Sequence, residues 1–498
     1  MRLKRDISAS KDSIVGDSKL KTGINSVLTQ LAIFGIPLIV TPYVISAVGM
    51  AHYGAYCFMQ AIIGIVAVFV QYGFVQAGVR DIAACTGQVE ISREFSVIFF
   101  SKTLMTIVGL FVAIGLLLLP RFQQDGWLYI FCITGLLTAL LDTSFVYQGI
   151  EKMKVFMVIN LTGGLLSMAL VFVFVHTPKD YIWLPLFFNL PRSISFLVGI
   201  WILRKKFSIN LQRIPLKSIQ NKLQKGFNFF VTNVLILGYT RIHFVILGLR
   251  ATSSAVGYFA IADQIIVAYM SLQGMATAGF HAQIVKELDK KEVKEAVEAK
   301  KAFVVTSVIA LLGIIYTFFF AEDIGRVFIK HGDIEPLLFS LKLMSLNFLT
   351  IGLSSLIVIQ VLLTINQERY LFYFSIVAAF LSIPFCWWIT PILQQAGAAL
   401  TVFLVNLCGL PWVWFAARRY GFRFVNISEL LRLVIIIAGA CIIFAAIKFS
   451  AEFIGLSAGW MTLLVTGPLC TILYIGILLL ARIAKLNGKK ISMELMPS

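Results

Sequence analysis

The run Tyr53-Gly54-Ala55-Tyr56-Cys57-Phe58-Met59-Gln60-Ala61-Ile62-Ile63 recurs, 203 residues later, as Val256-Gly257-Tyr258-Phe259-Ala260-Ile261-Ala262-Asp263-Gln264-Ile265-Ile266. A glycine, an aromatic residue and an isoleucine pair align at this one offset, and Gln60 faces Asp263. Both runs open the second apolar stretch of their half of the chain. Such stretches are about 20 residues long, the length a helix needs to cross bilayer hydrocarbon. Six of them separate the two copies, an even number, so the copies point the same way across a membrane. Parallel repeats of six helices predict two bundles around a pseudo-two-fold axis along the membrane normal, with a cavity between the halves.

Working outward from the repeat, fourteen apolar runs can be traced: 24–46, 55–79, 95–119, 127–148, 154–176, 181–203, 226–249, 258–283, 302–321, 337–363, 370–390, 396–416, 430–449 and 459–483. The predicted fold is therefore all-α and polytopic, with about fourteen transmembrane helices arranged as two parallel six-helix bundles plus two C-terminal helices. The predicted organisation is an N-terminal tail (1–23), a first bundle (24–203), a basic linker (204–225), a second bundle (226–416), two extra helices (417–483) and a tail (484–498). Composition agrees. Of 498 residues, 59% are hydrophobic and 13% charged, against roughly 45–50% and about 25% in soluble domains; the mean hydropathy is +0.90. These values exclude a soluble enzyme, a disordered chain and a disulfide scaffold. The seven cysteines form no CxxC pair, and neither a disulfide, a metal site nor a cofactor motif is expected.

Charge gives the orientation. With the N-terminus placed inside, 33 of the 42 Lys and Arg residues fall in inner segments, counting Lys102 among them, and six in outer ones. That asymmetry predicts cytoplasmic termini. It also accounts for the net charge of +18 without a nucleic-acid partner. Arg192, Arg241 and Lys342 remain inside predicted spans. An ionisable group there is costly unless paired or hydrated, so each is a candidate functional residue. Arg192 lies at the middle of the sixth span, with Asn189 and Ser193 on its helical face. It is either an anion ligand or the structural partner of Asp142 or Asp263. Arg241 lies in the outer part of the seventh span beside Tyr239, Thr240 and His243. Lys342 is a third candidate ligand or a snorkelling side chain. Arg80, at the end of the second span, is a ligand or an interface anchor. Asp142 and Asp263 are the acids available to couple an ion or to neutralise an arginine.

Several motifs together carry a family resemblance. Pro37-Leu38-Ile39-Val40-Thr41-Pro42-Tyr43, Val48-Gly49, Tyr53-Gly54, Gln71-Tyr72-Gly73-Phe74 and Arg80-Asp81-Ile82-Ala83 are followed by Tyr147-Gln148-Gly149-Ile150-Glu151-Lys152-Met153-Lys154, Leu247-Gly248 and Gly397-Ala398-Ala399. In order and spacing they resemble the polysaccharide-transporter family, the O-antigen and capsule flippases of the wider superfamily of multidrug and lipid-linked oligosaccharide exporters. Where that family often has an acid before Tyr-Gly-Phe, this chain has Gln71, and His243 stands nearest the family's acid in the seventh helix. The resemblance implies a flippase for undecaprenyl-diphosphate-linked oligosaccharide repeat units. It further implies a bacterial inner-membrane location, membrane lipids around the protein and the polysaccharide polymerase machinery as a partner. Physics asks for the same thing: an anionic diphosphate and a polar glycan need a cationic cavity to pass about 30 Å of hydrocarbon. On this reading Arg192, Arg241, Lys342, Arg80 and Asn189 bind substrate, and Asp142, Asp263 and His243 couple an ion. The rivals are a multidrug/cation antiporter and a membrane-embedded polymerase or glycosyltransferase. The first expects an acidic or aromatic cavity, and the second expects large external loops with catalytic acids.

Overall fold

The computed structural model describes residues 35–289, 297–330, 332–365, 367, 369–422, 427–453, 459–480, 485–487 and 490–492. The N-terminal tail, the first residues of the first apolar run and most of the C-terminal tail lie outside them. The first half of the described chain contains α1 (Ile36–Val48), α2 (Met50–Gln71), α3 (Phe74–Ala83), α4 (Gln88–Leu116), α5 (Gly126–Cys132), α6 (Thr134–Leu141), α7 (Ser144–Gly149), α8 (Met153–Phe174) and α9 (Leu184–Phe207). The second contains α10 (Leu216–Thr240), α11 (Ile242–Arg250), α12 (Ser253–Ala278), α13 (His281–Asp289), α14 (Val297–Phe328), α15 (Glu335–Ser345), α16 (Asn347–Leu356) and α17 (Arg369–Arg419). Two further helices, α18 (Ile427–Phe453) and α19 (Trp460–Leu480), follow, and the chain ends in a short hairpin of Lys485–Asn487 with Lys490–Ser492.

Among the described residues nine helical segments are long and apolar enough to cross a membrane, or ten with the bent pair α10–α11 taken as one span. Helix α17 is two crossings in one run, because Gln394 takes φ 47° and ψ −127° and breaks it. With three shorter apolar helices at 36–48, 437–451 and 462–478, these elements accommodate the fourteen expected crossings.

Several spans that are continuous in apolar pattern are broken in space. Tyr72 and Gly73 both take left-handed backbone (φ 45° and 75°) between α2 and α3. Gly73 is required twice over, since a Cβ there would lie 2.6 Å from the Phe229 Cβ. The fourth span is split at Ile133 and again at Asp142–Thr143. The seventh bends by 45° at Arg241. That seventh helix also begins earlier than its apolar run. Leu216, Ile219 and Leu223 recur at helical spacing, so the expected linker 204–225 is already helical from Leu216. What remains of the linker is pinned to the first half by Asn210 N–H donating to Ser92 Oγ (3.1 Å) and Gln212 N–H donating to Ser96 Oγ (2.8 Å).

The repeat is visible as a contact. Helices α2 and α12 cross at Gly54 and Gly257. A Cβ at Gly54 would collide with the Ser253 carbonyl, and one at Gly257 would lie 2.7 Å from Met50 Sδ and 2.9 Å from the Met50 carbonyl oxygen. Met50 and Ser253 stand at the same offset as Gly54 and Gly257, so each half offers the other the same pair of positions. A small residue at the crossing on each helix allows such backbone approach where lipid gives helices no hydrophobic reason to associate. Around this crossing one buried cluster runs through both halves, from Val48, Phe58 and Met59 to Leu247, Val256 and Phe259. Toward the opposite end the cores are separate. Phe74, Phe95, Phe145 and Phe196 belong to the first half, and Phe303, Ile357, Val361 and Phe422 to the second. Helices α18 and α19 pack on α14, where Tyr474 Oη donates to the Val308 carbonyl at 3.0 Å.

Candidate functional site

In the first half, α9 presents Asn189, Arg192 and Phe196 on one face, at spacings of three and four residues. They line a cavity of about 440 Å3 together with Gln60, Gln71 and Asp142. Asn189 holds the wall together: its amide donates to Thr134 Oγ1 (3.2 Å), and its carbonyl accepts from Thr138 Oγ1 (3.2 Å) and Ser193 Oγ (2.9 Å). The Arg192 side chain lies within electrostatic reach of Tyr56 and Asp142. It forms no ion pair with either, and its Nε is buried without a hydrogen-bond partner. The structural pairing that the sequence left open for Arg192 is thus not made. Gln60 Oε1 is likewise buried without a donor. A cavity with an unsatisfied guanidinium N–H suits an anionic group, because burying a donor unpaired costs about 1–3 kcal/mol.

Asp142 sits at a helix break rather than inside a continuous span. Its Oδ1 accepts from the Ser144 N–H (2.8 Å), which starts α7. Its carbonyl, released from the helix ladder, accepts from Lys102 Nζ at 2.8 Å. Lys102 is 1% exposed in the middle of α4, with the Phe145 ring 5.8 Å from its ammonium. It is not one of the inner-segment lysines of the charge tally but a membrane-buried cation. The signal was present: Lys102 already lay inside the predicted span 95–119. Lys102, Arg192 and Asp142 together give this region two cations against one carboxylate.

The second half is arranged differently. Arg241, at the bend between α10 and α11, pairs with Asp263 of α12 at 3.0 Å, and its side chain is 51% exposed. His243 is fully enclosed, with Nε2 2.9 Å from Ser382 Oγ of α17. Lys342 is half-buried on α15. Arg241 and Lys342 do not line the Arg192 cavity, whose walls all come from residues 37–196. So the expected meeting of Arg192 and Arg241 in one cavity is not seen in this state. Helix α2 stands between them, with Tyr56 near Arg192 and Cys57 near Asp263. Across the halves, Thr41 Oγ1 donates to Gln264 Oε1 (3.0 Å), and Arg121 Nε donates to the Gly248 carbonyl (3.2 Å) while its guanidinium lies over Phe58.

Arg80 belongs to a second site. At the end of the molecule away from Gly54, Lys222 of α10 bonds Asp81 (2.8 Å) and Glu94 (2.6 Å), and Arg80 shares Asp81 at 3.4 Å. Tyr72 and Phe230 stack above them with ring centroids 4.4 Å apart. Helix α10 rests there lightly, with Gly226 as its buried residue. No group of three His, Cys, Asp or Glu residues fit for a metal occurs among the described residues.

Residues 20–276 match the family model described as "Polysaccharide biosynthesis protein". A protein of Escherichia coli strain K12 named "Putative O-antigen transporter" is 25% identical over 369 residues, covering 74% of this chain and 89% of that one. A protein of Shigella dysenteriae with the same name is 26% identical over 238 residues, covering 47% and 60%. Among solved structures, the lipid II flippase MurJ in an inward closed conformation superposes with a TM-score of 0.69 at 14% identity, over 93% of this chain and 98% of that chain. An inward-facing multidrug transporter of the MATE family gives 0.61 at 14% identity, over 80% and 98%. At these identities the structures establish likeness of fold.

Proposed function

We propose, from the premise that the chain belongs to the polysaccharide biosynthesis protein family, that it is a flippase for undecaprenyl-diphosphate-linked oligosaccharide repeat units of a surface polysaccharide such as O-antigen. Its place is the bacterial cytoplasmic membrane, with both termini in the cytoplasm. With Lys102 set aside, the asymmetry of 32 inner against six outer basic residues supports this orientation. It puts the Lys222 end inside and the Gly54 end outside. The curated relatives, named as O-antigen transporters, support transport rather than enzymatic chemistry.

The observation that carries this reading is the cationic cavity around Arg192. A guanidinium with an unpartnered buried N–H donates charge-assisted hydrogen bonds to phosphate oxygens. Lys102 fixes the helix break behind it and adds positive charge, and Asn189 braces the wall. Arg241, Lys342 and Arg80 serve the same anion at later or earlier stages, when α10–α11 moves about its bend and alternates access between the two faces. Asp263 is the acid best placed for coupling, since protonating it would release Arg241 to the substrate. His243, tied to Ser382, is left with a packing role. An inside-negative membrane potential favours outward movement of the negative head group. The polymerase that consumes the flipped unit is the expected partner. A cation antiporter would favour an acidic cavity, but the one acid in this lining, Asp142, shares it with Arg192 and has Lys102 on its carbonyl.

The test is complementation of a flippase-null strain, with surface polysaccharide and membrane protein level measured together. Arg192→Ala should cut export by roughly tenfold or more at normal protein level, because a lost charge-assisted bond of about 1.5–3 kcal/mol corresponds to at least that factor. Arg192→Lys should restore part of it. Normal export from a normally expressed Ala variant would refute the mechanism. Asp263→Asn should remove dependence on an ion gradient while the protein still inserts; unchanged export across pH and Na+ gradients would leave the membrane potential as the drive.

A further inference from the structure

A cavity of about 540 Å3 lies at the Lys222 end, walled by α3 and α4 of the first half and α10 of the second. It is separate from the Arg192 cavity, and its volume falls in the ordinary range of small-molecule sites. Four cations, Arg80, Arg93, Lys222 and Lys225, line it against three carboxylates, Asp81, Glu90 and Glu94. The carboxylates are all engaged. Asp81 and Glu94 bond Lys222, while Glu90 accepts from the Thr86 N–H (3.0 Å) and hydroxyl (3.3 Å). Arg93 and Lys225 have no carboxylate in ion-pair range among the described residues. The surplus positive charge is therefore localised on one residue from each half, Arg93 and Lys225.

We propose that this cavity is a binding site for the diphosphate group of the lipid-linked substrate, with Arg93 and Lys225 as its ligands from the two halves. The identity of the ligand rests on the flippase reading above; the existence of the anion site does not. Arg93 offers a fork of N–H donors that matches phosphate oxygens, and Lys225 adds a point charge opposite it. A diphosphate held between them would also compete with Asp81 and Glu94 for Lys222, the residue that ties α10 to the first half. Binding at this site would then loosen the tie that the substrate must pass.

The cavity carries its own reporter. Cys85 lines it, and free glutathione in the same sample is the control for the reagent. The experiment is maleimide labelling of the full-length protein in nanodiscs of neutral lipid, read by peptide mass spectrometry. Inorganic pyrophosphate should slow Cys85 labelling threefold or more without slowing the reaction of glutathione. Undecaprenyl diphosphate should do so at lower concentration. The double variant Arg93→Gln with Lys225→Gln, both exposed and so harmless to folding, should remove the protection. Unchanged labelling with both probes, or protection that survives in the double variant, would overturn the proposal. Protection by phosphatidylglycerol with none from pyrophosphate or the prenyl diphosphate would also overturn it and make the cavity a phospholipid contact. The flippase reading fails separately, through the Arg192 export assay; protection by pyrophosphate with export untouched in Arg192→Ala would leave an anion site without that transport role.

Discussion

The two ends of this molecule are joined by opposite physics. At the Gly54 end the halves share one apolar core, and two glycines let the backbones of α2 and α12 touch. At the Lys222 end each half keeps its own core. They are joined there by an ammonium between two carboxylates, by the ring pairs Tyr72–Phe230 and Phe69–Phe230, and by the close contact of Gly73 on Phe229. Close packing is strong, short-ranged and intolerant of added volume. Ion pairs are exchangeable where water reaches them, as it reaches Asp81 and Glu94, 31% and 34% exposed, though Lys222 is only 10% exposed. The contrast predicts that the Gly54 end is the firmer closure and that the Lys222 end gives way first.

The largest effect should come from filling the crossing. Gly54→Leu and Gly257→Leu each put a side chain where the other half has backbone. Overpacking ordinarily costs about 1–3 kcal/mol, and an obstacle made of backbone cannot turn aside. Export should collapse, and Cys57, three residues along α2 from Gly54, should label faster with a thiol reagent. Gly54→Leu should be the more severe, because a Cβ there collides with the Ser253 carbonyl, whereas at Gly257 the nearest atom is the movable Met50 Sδ at 2.7 Å. Near-normal export from either variant would break the picture of a paired glycine crossing. The next effect should come from Lys222→Glu, which sets three carboxylates together. Losing hydrogen bonds to charged groups costs about 1.5–3 kcal/mol, so export should fall by about tenfold, with partial recovery on adding Asp81→Lys. If Lys222→Glu proved as damaging as the glycine variants, with no recovery, the two ends would be equally rigid and the contrast would fail. The smallest should be Arg80→Ala. Its side chain is 72% exposed and its contact to Asp81 is long, at 3.4 Å, so a stability change within about 1 kcal/mol is expected, with export falling less than for Arg192→Ala.

Much of the site was legible as residue types and little of it as partnerships. Arg192, Asn189 and Asp142 do come together around one cavity, because helical spacing on α9 and the neighbourhood of the fourth span could be read from the chain. Arg241 and Asp263 were each identifiable, but not as a pair, since 22 residues and a bend separate them. Lys102 was passed over because a lysine near a basic loop reads as an interface residue. Only the neighbouring break at Asp142 supplies the carbonyl that accounts for its burial.

By itself the sequence determined the class of molecule. Long apolar runs can satisfy their backbone inside a membrane only as helices, the basic residues fall on one side, and the copies at 53–63 and 256–266 impose two parallel halves. These are properties of composition and order, and they survive any detail of packing. The tertiary structure decided where the helices fail to be straight and which charges find partners. The apolar runs extend past Tyr72-Gly73, Asp142-Thr143 and Arg241, so their length does not mark those sites as breaks. Each is settled by what the break meets: Phe229 against Gly73, Lys102 on the Asp142 carbonyl, Asp263 on Arg241. Those contacts join residues far apart along the chain, and their energies exist only once the halves have packed.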